Sequence, residues 1–113
     1  MKNYKFLLVF IIIAVLLFYI PLVNAESKYT REKAEELFHL ISWQDYTPET
    51  FNKALNEQKP IYLVISAPAW CYWCHVYESK DYLYHPDLYP YINENFISVF
   101  VDSDKRPDLT RKY

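Results

Sequence analysis

Not one of the 113 residues is glycine. Glycine enters positive φ without steric cost, so this chain must build its tight turns from other residues, with Asn and Asp the expected substitutes. The same absence removes every device made of glycine: the phosphate-cradling loop, the dinucleotide-binding turn and the nucleophile elbow. Two cysteines exclude a multi-bridge disulfide scaffold and a four-cysteine metal site. A formal charge of −2 leaves no electrostatic footprint for nucleic acid, and the length admits one small domain.

The first 25 residues read as a targeting segment. Lys2 and Lys5 precede an apolar run over 6–20, and Val23-Asn24-Ala25 has the small-residue pattern of a signal-peptidase site. The alternative is a retained anchor, since 6–23 is near the lower length limit for crossing a bilayer. Either reading leaves the positive end inside and puts the remainder outside the cytoplasm, where disulfides persist. The segment after residue 25 keeps 10 basic and 14 acidic groups, an ordinary surface balance.

Residues 26–42 are expected to form an amphipathic helix or linker, with Thr30 as cap, Glu32 in the first turn, and Ala34, Leu37, Phe38 and Ile41 on one face. His39 on this helix is read as a surface residue. Thr47-Pro48-Glu49 starts a second helix with Phe51, Ala54 and Leu55 on its apolar side, ended by Lys59-Pro60. Residues 61–65 form a strand that lacks alternation, as when both faces are covered. A helix is expected over 71–84, a shorter one up to about Glu94, a second strand over 96–101, and a last helix from Pro107. After residue 25 the order is α, α, β, α, α, β, α, and helices between two strands predict a parallel pair. The six tyrosines between Tyr72 and Tyr91 are expected in core and shell rather than in a binding stripe.

One constellation has chemical content: Trp70-Cys71-Tyr72-Trp73-Cys74-His75, placed after a buried strand and at the opening of a helix. Two intervening residues bring the cysteines within disulfide range. Cys71 at the helix start lies beside unpaired N–H groups that favour a thiolate. Lowering a thiol pKa from about 8.5 to about 7 raises the thiolate fraction at neutral pH from roughly 3% to roughly 50%. Cys71 is therefore the expected nucleophile and Cys74 the resolving thiol. Three other readings stand beside this one. Cys71-x-x-Cys74-His75 satisfies the c-type haem attachment pattern, with His75 as axial ligand and His39 or His85 opposite. Zinc is disfavoured because no second ligand pair has suitable spacing. The third is a purely structural disulfide.

The residues also carry a resemblance. Strand, Trp70-Cys71-x-x-Cys74, helix is similar to the thioredoxin superfamily. A closer similarity is to the thioredoxin-like domain of the spermatogenesis-associated protein 20 family. It rests on Lys59-Pro60-Ile61, Cys71-x-Trp73-Cys74-His75-Val76, Asn93-Glu94-Asn95-Phe96, and Val101-Asp102 followed by Arg106-Pro107-Asp108-Leu109. The resemblance covers 43–113 and implies a thioredoxin-like α/β fold with a redox-type pair at Cys71 and Cys74. This chain departs from it at Tyr72, where members usually have histidine, and at Lys80-Asp81-Tyr82, where they carry glutamate-serine-phenylalanine. Thioredoxin-like domains continue into a cis-proline loop, two more strands and a helix. A domain ending at Tyr113 is thus expected to be the N-terminal, active-site part of the fold, with open sheet edges completed by a partner chain.

The expectation for function is thiol–disulfide exchange with protein thiols or disulfides, without a dissociable cofactor or metal, and with a membrane-borne reductant as a further partner. A non-catalytic interaction module is the remaining alternative. Four residues are expected to support the pair. Trp70 and Trp73 shield the sulfurs and offer an apolar docking surface. His75, adjacent to Cys74, and Glu78, one helical turn beyond it, are candidates for handling its proton, because the strand at 61–65 has no acid.

Overall fold

A computed structural model describes residues 3–23, backbone only for 18–23, and residues 27–113. Asn24 and Ala25 of the expected cleavage pattern lie outside the described residues. Helix α1 spans Tyr4–Val23, and its side chains from Tyr4 to Leu17 are exposed. Among the described residues, no helix is long and apolar enough to cross a membrane.

Helix α2, Arg31–Leu37, begins at the expected cap: the Thr30 hydroxyl accepts from the Lys33 N–H, and Glu32 sits in the first turn. It stops well short of the expected end. The chain tightens into a 3-10 turn over Phe38–Leu40 and becomes extended at Ile41. A distant side chain explains the stop. Asn93 donates to the Leu40 carbonyl at 2.8 Å and accepts from the Ser42 N–H at 3.0 Å, so it satisfies backbone groups that further helix would have used. Ala34 and Ile41 are buried as expected, whereas Phe38 stays 38% exposed.

Helix α3, Pro48–Glu57, has Thr47 as cap, Pro48 at its first position and Glu49 in its first turn. Ala54 is buried, but Leu55, expected on the apolar side, is 75% exposed. The helix ends on Gln58 at φ 52°, the left-handed conformation that usually falls to glycine. It is the one positive-φ residue among those described, so neither Asn nor Asp takes that role.

Strands β1, Ile61–Ser66, and β2, Ile97–Asp102, pair in parallel from Ile61↔Ile97 to Ser66↔Asp102. Gln44 bridges the far side of β2 opposite Val99, donating to the Ser98 carbonyl at 2.8 Å. β2 is thus flanked on both sides. The outer edge of β1 is bare among the described residues: the Pro60 and Ser66 carbonyls accept from Ile97 and Ser103, which turns the peptide groups of Ile61, Leu63 and Ile65 outward. Between the strands lie α4, Tyr72–Tyr77, and α5, Tyr89–Asn95; α6, Pro107–Lys112, follows β2. The order after residue 26 is the expected one.

The sheet separates two cores. Ile41, Leu83, Tyr84 and Ile92 pack on one face with Trp43 and Tyr62, and Val99, Val101 and Leu109 pack on the other with Ile61, Leu63 and Ile65. Most of β1 is only half-buried, less than its unalternating sequence predicts. Helix α4 is also shorter than expected. Glu78 leaves the helical region, the Leu83 N–H bonds to the Tyr77 carbonyl and the Tyr84 N–H to the Ser79 carbonyl. These turns bring Leu83 and Tyr84 into the core at 0% and 1% exposure. Of the six tyrosines, Tyr84 is core and Tyr89 half-buried, while Tyr72, Tyr77, Tyr82 and Tyr91 are exposed. The arrangement, with a small parallel sheet between helices, is consistent with part of a thioredoxin-like fold.

Candidate redox site

The site forms where β1 ends. After Ser66 the chain turns through residues 67–70, and the Ala67 carbonyl accepts from both the Trp70 and Cys71 N–H groups, at 3.2 and 3.0 Å. That turn delivers Cys71 to the cap position of α4, in extended conformation. Its sulfur accepts from the Cys74 N–H at 3.1 Å, in the manner of a capping hydroxyl. Cys71 and Cys74 are joined as a disulfide with their Cα atoms 5.2 Å apart, inside the usual range. Both cysteines are half-buried, so the bond lies at the surface of the domain.

The four expected supporting residues divide into an outer and an inner pair. Trp70 and Trp73 are 69% and 76% exposed, so neither serves core packing. The Trp70 indole N–H donates to the Asp104 carboxylate, with 3.0 Å to the nearer oxygen, tying the turn before Cys71 to the turn after β2. Trp73 lines a groove of about 440 Å³ with Cys74, Tyr77, Glu78 and the residues of β1. In its wall the Tyr62 and Tyr77 hydroxyls share a hydrogen bond, and burial, aided by Tyr77, holds Tyr62 well above the ordinary phenol range.

His75 and Glu78 point inward. His75 is 9% exposed, and its Nε2 lies 2.9 Å from the Pro68 carbonyl oxygen. A carbonyl can only accept, so Nε2 carries the proton and donates. His75 thereby fastens α4 to the turn that carries the cysteines. With Nε2 engaged in this way, Nδ1 is the ring nitrogen that keeps a lone pair. Glu78 is 4% exposed, and its backbone N–H bonds to the Cys74 carbonyl at 2.8 Å. Burial raises its pKa above the usual carboxylate value, and Ser66 and His75 act more weakly in the opposite sense. Glu78 Oε1 and Ser66 Oγ are each buried without a well-formed hydrogen bond.

Three contributors were not singled out from the sequence. Asp104 lies in a polar turn 34 residues from Trp70, and no spacing rule joins them. Pro68 acts through its carbonyl, which any residue would supply. Ser66 closes an apolar strand as its one aliphatic hydroxyl, a signal available in the sequence.

The chain matches, over residues 20–113, the family Thioredox_DsbH, described as a protein of unknown function, DUF255. The chain belongs to the Thioredox_DsbH family. Similarity to curated proteins agrees. The chain is 35% identical over 92 residues to spermatogenesis-associated protein 20 of Rattus norvegicus and 32% identical over 92 residues to that of Homo sapiens. Each alignment covers 81% of this chain and 11% of the relative. It is also 36% identical over 73 residues to the uncharacterized protein B0495.5 of Caenorhabditis elegans, covering 65% of this chain and 10% of that protein. The chain therefore spans about a tenth of the length of these relatives. The Thioredox_DsbH match begins at residue 20, so it includes α2 as well as the expected span of 43–113. Membership in Thioredox_DsbH and a cysteine pair at disulfide distance together fit a thioredoxin-like redox role.

Proposed function

We propose that this protein is a thiol–disulfide oxidoreductase acting on protein substrates outside the cytoplasm. The observation that carries the reading is the Cys71–Cys74 disulfide, half-buried at a strand-to-helix junction between two exposed tryptophans. A bond so placed is open to attack by a substrate thiolate, and in its reduced form it offers Cys71 to a substrate disulfide. Cys71 attacks, a mixed disulfide forms, and Cys74 displaces the substrate thiol. Trp70 and Trp73 supply apolar contact for the substrate chain around the sulfurs. The direction of exchange follows from the potential of the pair; dithiols of this kind range from about −270 to −120 mV. A membrane-borne reductant and a chain that completes the sheet are the proposed partners.

Export is supported by the order of Lys2 and Lys5, an apolar helix α1 whose side chains from Tyr4 to Leu17 are exposed, and the Val23-Asn24-Ala25 pattern. Equilibration of the purified protein with graded dithiol buffers tests the redox reading: a reversible two-electron couple is expected, and its absence would refute it. Cys74→Ser should accumulate a mixed disulfide with substrate and Cys71→Ser should not. Fusing residues 1–25 to a reporter active only after export tests the location, with reporter activity the expected outcome.

A further inference from the structure

Beside the cysteine pair lies a row of aromatic rings that neither core uses. Tyr29 meets Tyr72 edge-on with 6.4 Å between ring centres, and Tyr72 meets Trp73 edge-on at 5.4 Å. Tyr72 and Trp73 are 49% and 76% exposed and Tyr29 is half-buried, so the row is surface rather than packing. Trp70 stands apart from it, tied to Asp104. Tyr29 is held in place: its hydroxyl donates to Asp81 at 2.8 Å, and the Lys28 ammonium lies 5.3 Å from its ring centre. Tyr72 is a position where this chain departs from the usual histidine, which would interrupt the row with a more polar ring. The charged groups next to the row cancel, since Lys28 pairs with Asp81 at 2.6 Å and Arg31 with Glu35 at 2.6 Å. Rings with an apolar body and a polar tip, in a neutral setting, match the boundary between hydrocarbon and water.

Chain continuity indicates which boundary this is. Helix α1 ends at Val23, six residues before Tyr29, and six residues span at most about 22 Å. Every side chain of α1 from Phe6 to Leu17 is apolar and exposed, and neither core of the described residues covers it. A helix that is apolar on all sides has no face for water and belongs in hydrocarbon. It need not cross the bilayer to bring Tyr29 close to the lipid surface. We propose that, in the chain that keeps α1 as an anchor, Tyr29, Tyr72 and Trp73 seat in the headgroup layer of the bilayer that α1 enters. The partner is a zwitterionic lipid surface, met through rings rather than through charge. Seated so, the row holds the Cys71–Cys74 bond beside the membrane. Trp70 stays open to the substrate chain, and Trp73 serves that chain only along the groove it shares with Cys74.

The test places the full chain in phosphatidylcholine vesicles whose acyl chains carry bromine either next to the headgroup or near the bilayer centre, and reads tryptophan emission. The chain has three tryptophans, Trp43, Trp70 and Trp73, and none of them is in α1. Shallow bromine should quench roughly a third of the emission, the share of one tryptophan in three, and deep bromine should quench little. Trp73→Phe should abolish that quenching and Trp70→Phe should leave it. Tyr29→Ser combined with Tyr72→Ser should reduce it at least about twofold, and Tyr72→Ser alone carries this arm if the pair loses native circular dichroism. Raising the salt to about 0.5 M should change the quenching by less than about a fifth, because no charge on the lipid is being met. Vesicles that capture the protein without quenching Trp73 would overturn the proposal and assign the row to a protein partner. Quenching that persists in Trp73→Phe would overturn it as well. Protein that fails to float with the vesicles would overturn it together with the retained-anchor reading of α1, and would leave the exchange reaction untouched.

Discussion

At the scale of single residues, Glu78 carries a cost in stability. Burial raises its pKa in the folded state, so the fold binds that proton more tightly than the unfolded chain does. The contribution of Glu78 to stability is therefore least unfavourable at low pH and becomes more unfavourable as pH rises through its folded pKa. Glu78→Gln should be more stable than the parent at pH 7, and the gap should close as the pH approaches 4. Urea midpoints of both proteins across that range check the sign. A gap that widened toward acid would mean that the carboxylate is stabilised by partners rather than strained by burial. His75 has a simpler part: it holds the turn bearing the cysteines by one hydrogen bond to Pro68.

At the scale of elements, the lack of glycine is felt at one point, the end of α3. Gln58 carries a Cβ into the left-handed region, which costs about 1 kcal/mol relative to glycine. Gln58→Gly should raise stability by about that amount, read as a higher urea midpoint with unchanged slope. Sequence reasoning located α3 through its Thr47-Pro48-Glu49 start and β1 through its unalternating apolar run, because those signals are local. It placed the ends of α2 and α4 wrongly for a common reason. Asn93 ends α2 from 53 residues away, and the burial of Leu83 and Tyr84 ends α4, so tertiary contacts override helical periodicity in both. The site shows the same division. Cys71, Cys74 and Glu78 share one short segment and were legible from their spacing, whereas Asp104 reaches Trp70 only through the fold.

At the scale of the whole molecule, the sheet has one protected side and one bare side. Gln44 covers the flank of β2, while Ile61, Leu63 and Ile65 present peptide groups unpaired among the described residues along β1. Amide exchange should alternate along that strand in the isolated chain, fast at residues 61, 63 and 65 and slow at 62, 64 and 66. Uniform protection would show that another segment or a second copy covers the edge. The cysteine bond closes a segment of only three residues' separation. In the chain-entropy account, so small a loop restrains the unfolded polymer little, contributing roughly 2 kcal/mol against nearly 5 for a loop of a hundred residues. Reduction should therefore lower the melting temperature by roughly 8–16 °C, well below the effect of a long-loop cross-link, and the dithiol form should keep native circular dichroism. The cross-link is topologically almost idle. The molecule can give it up and take it back without its architecture depending on which sulfur holds the bond.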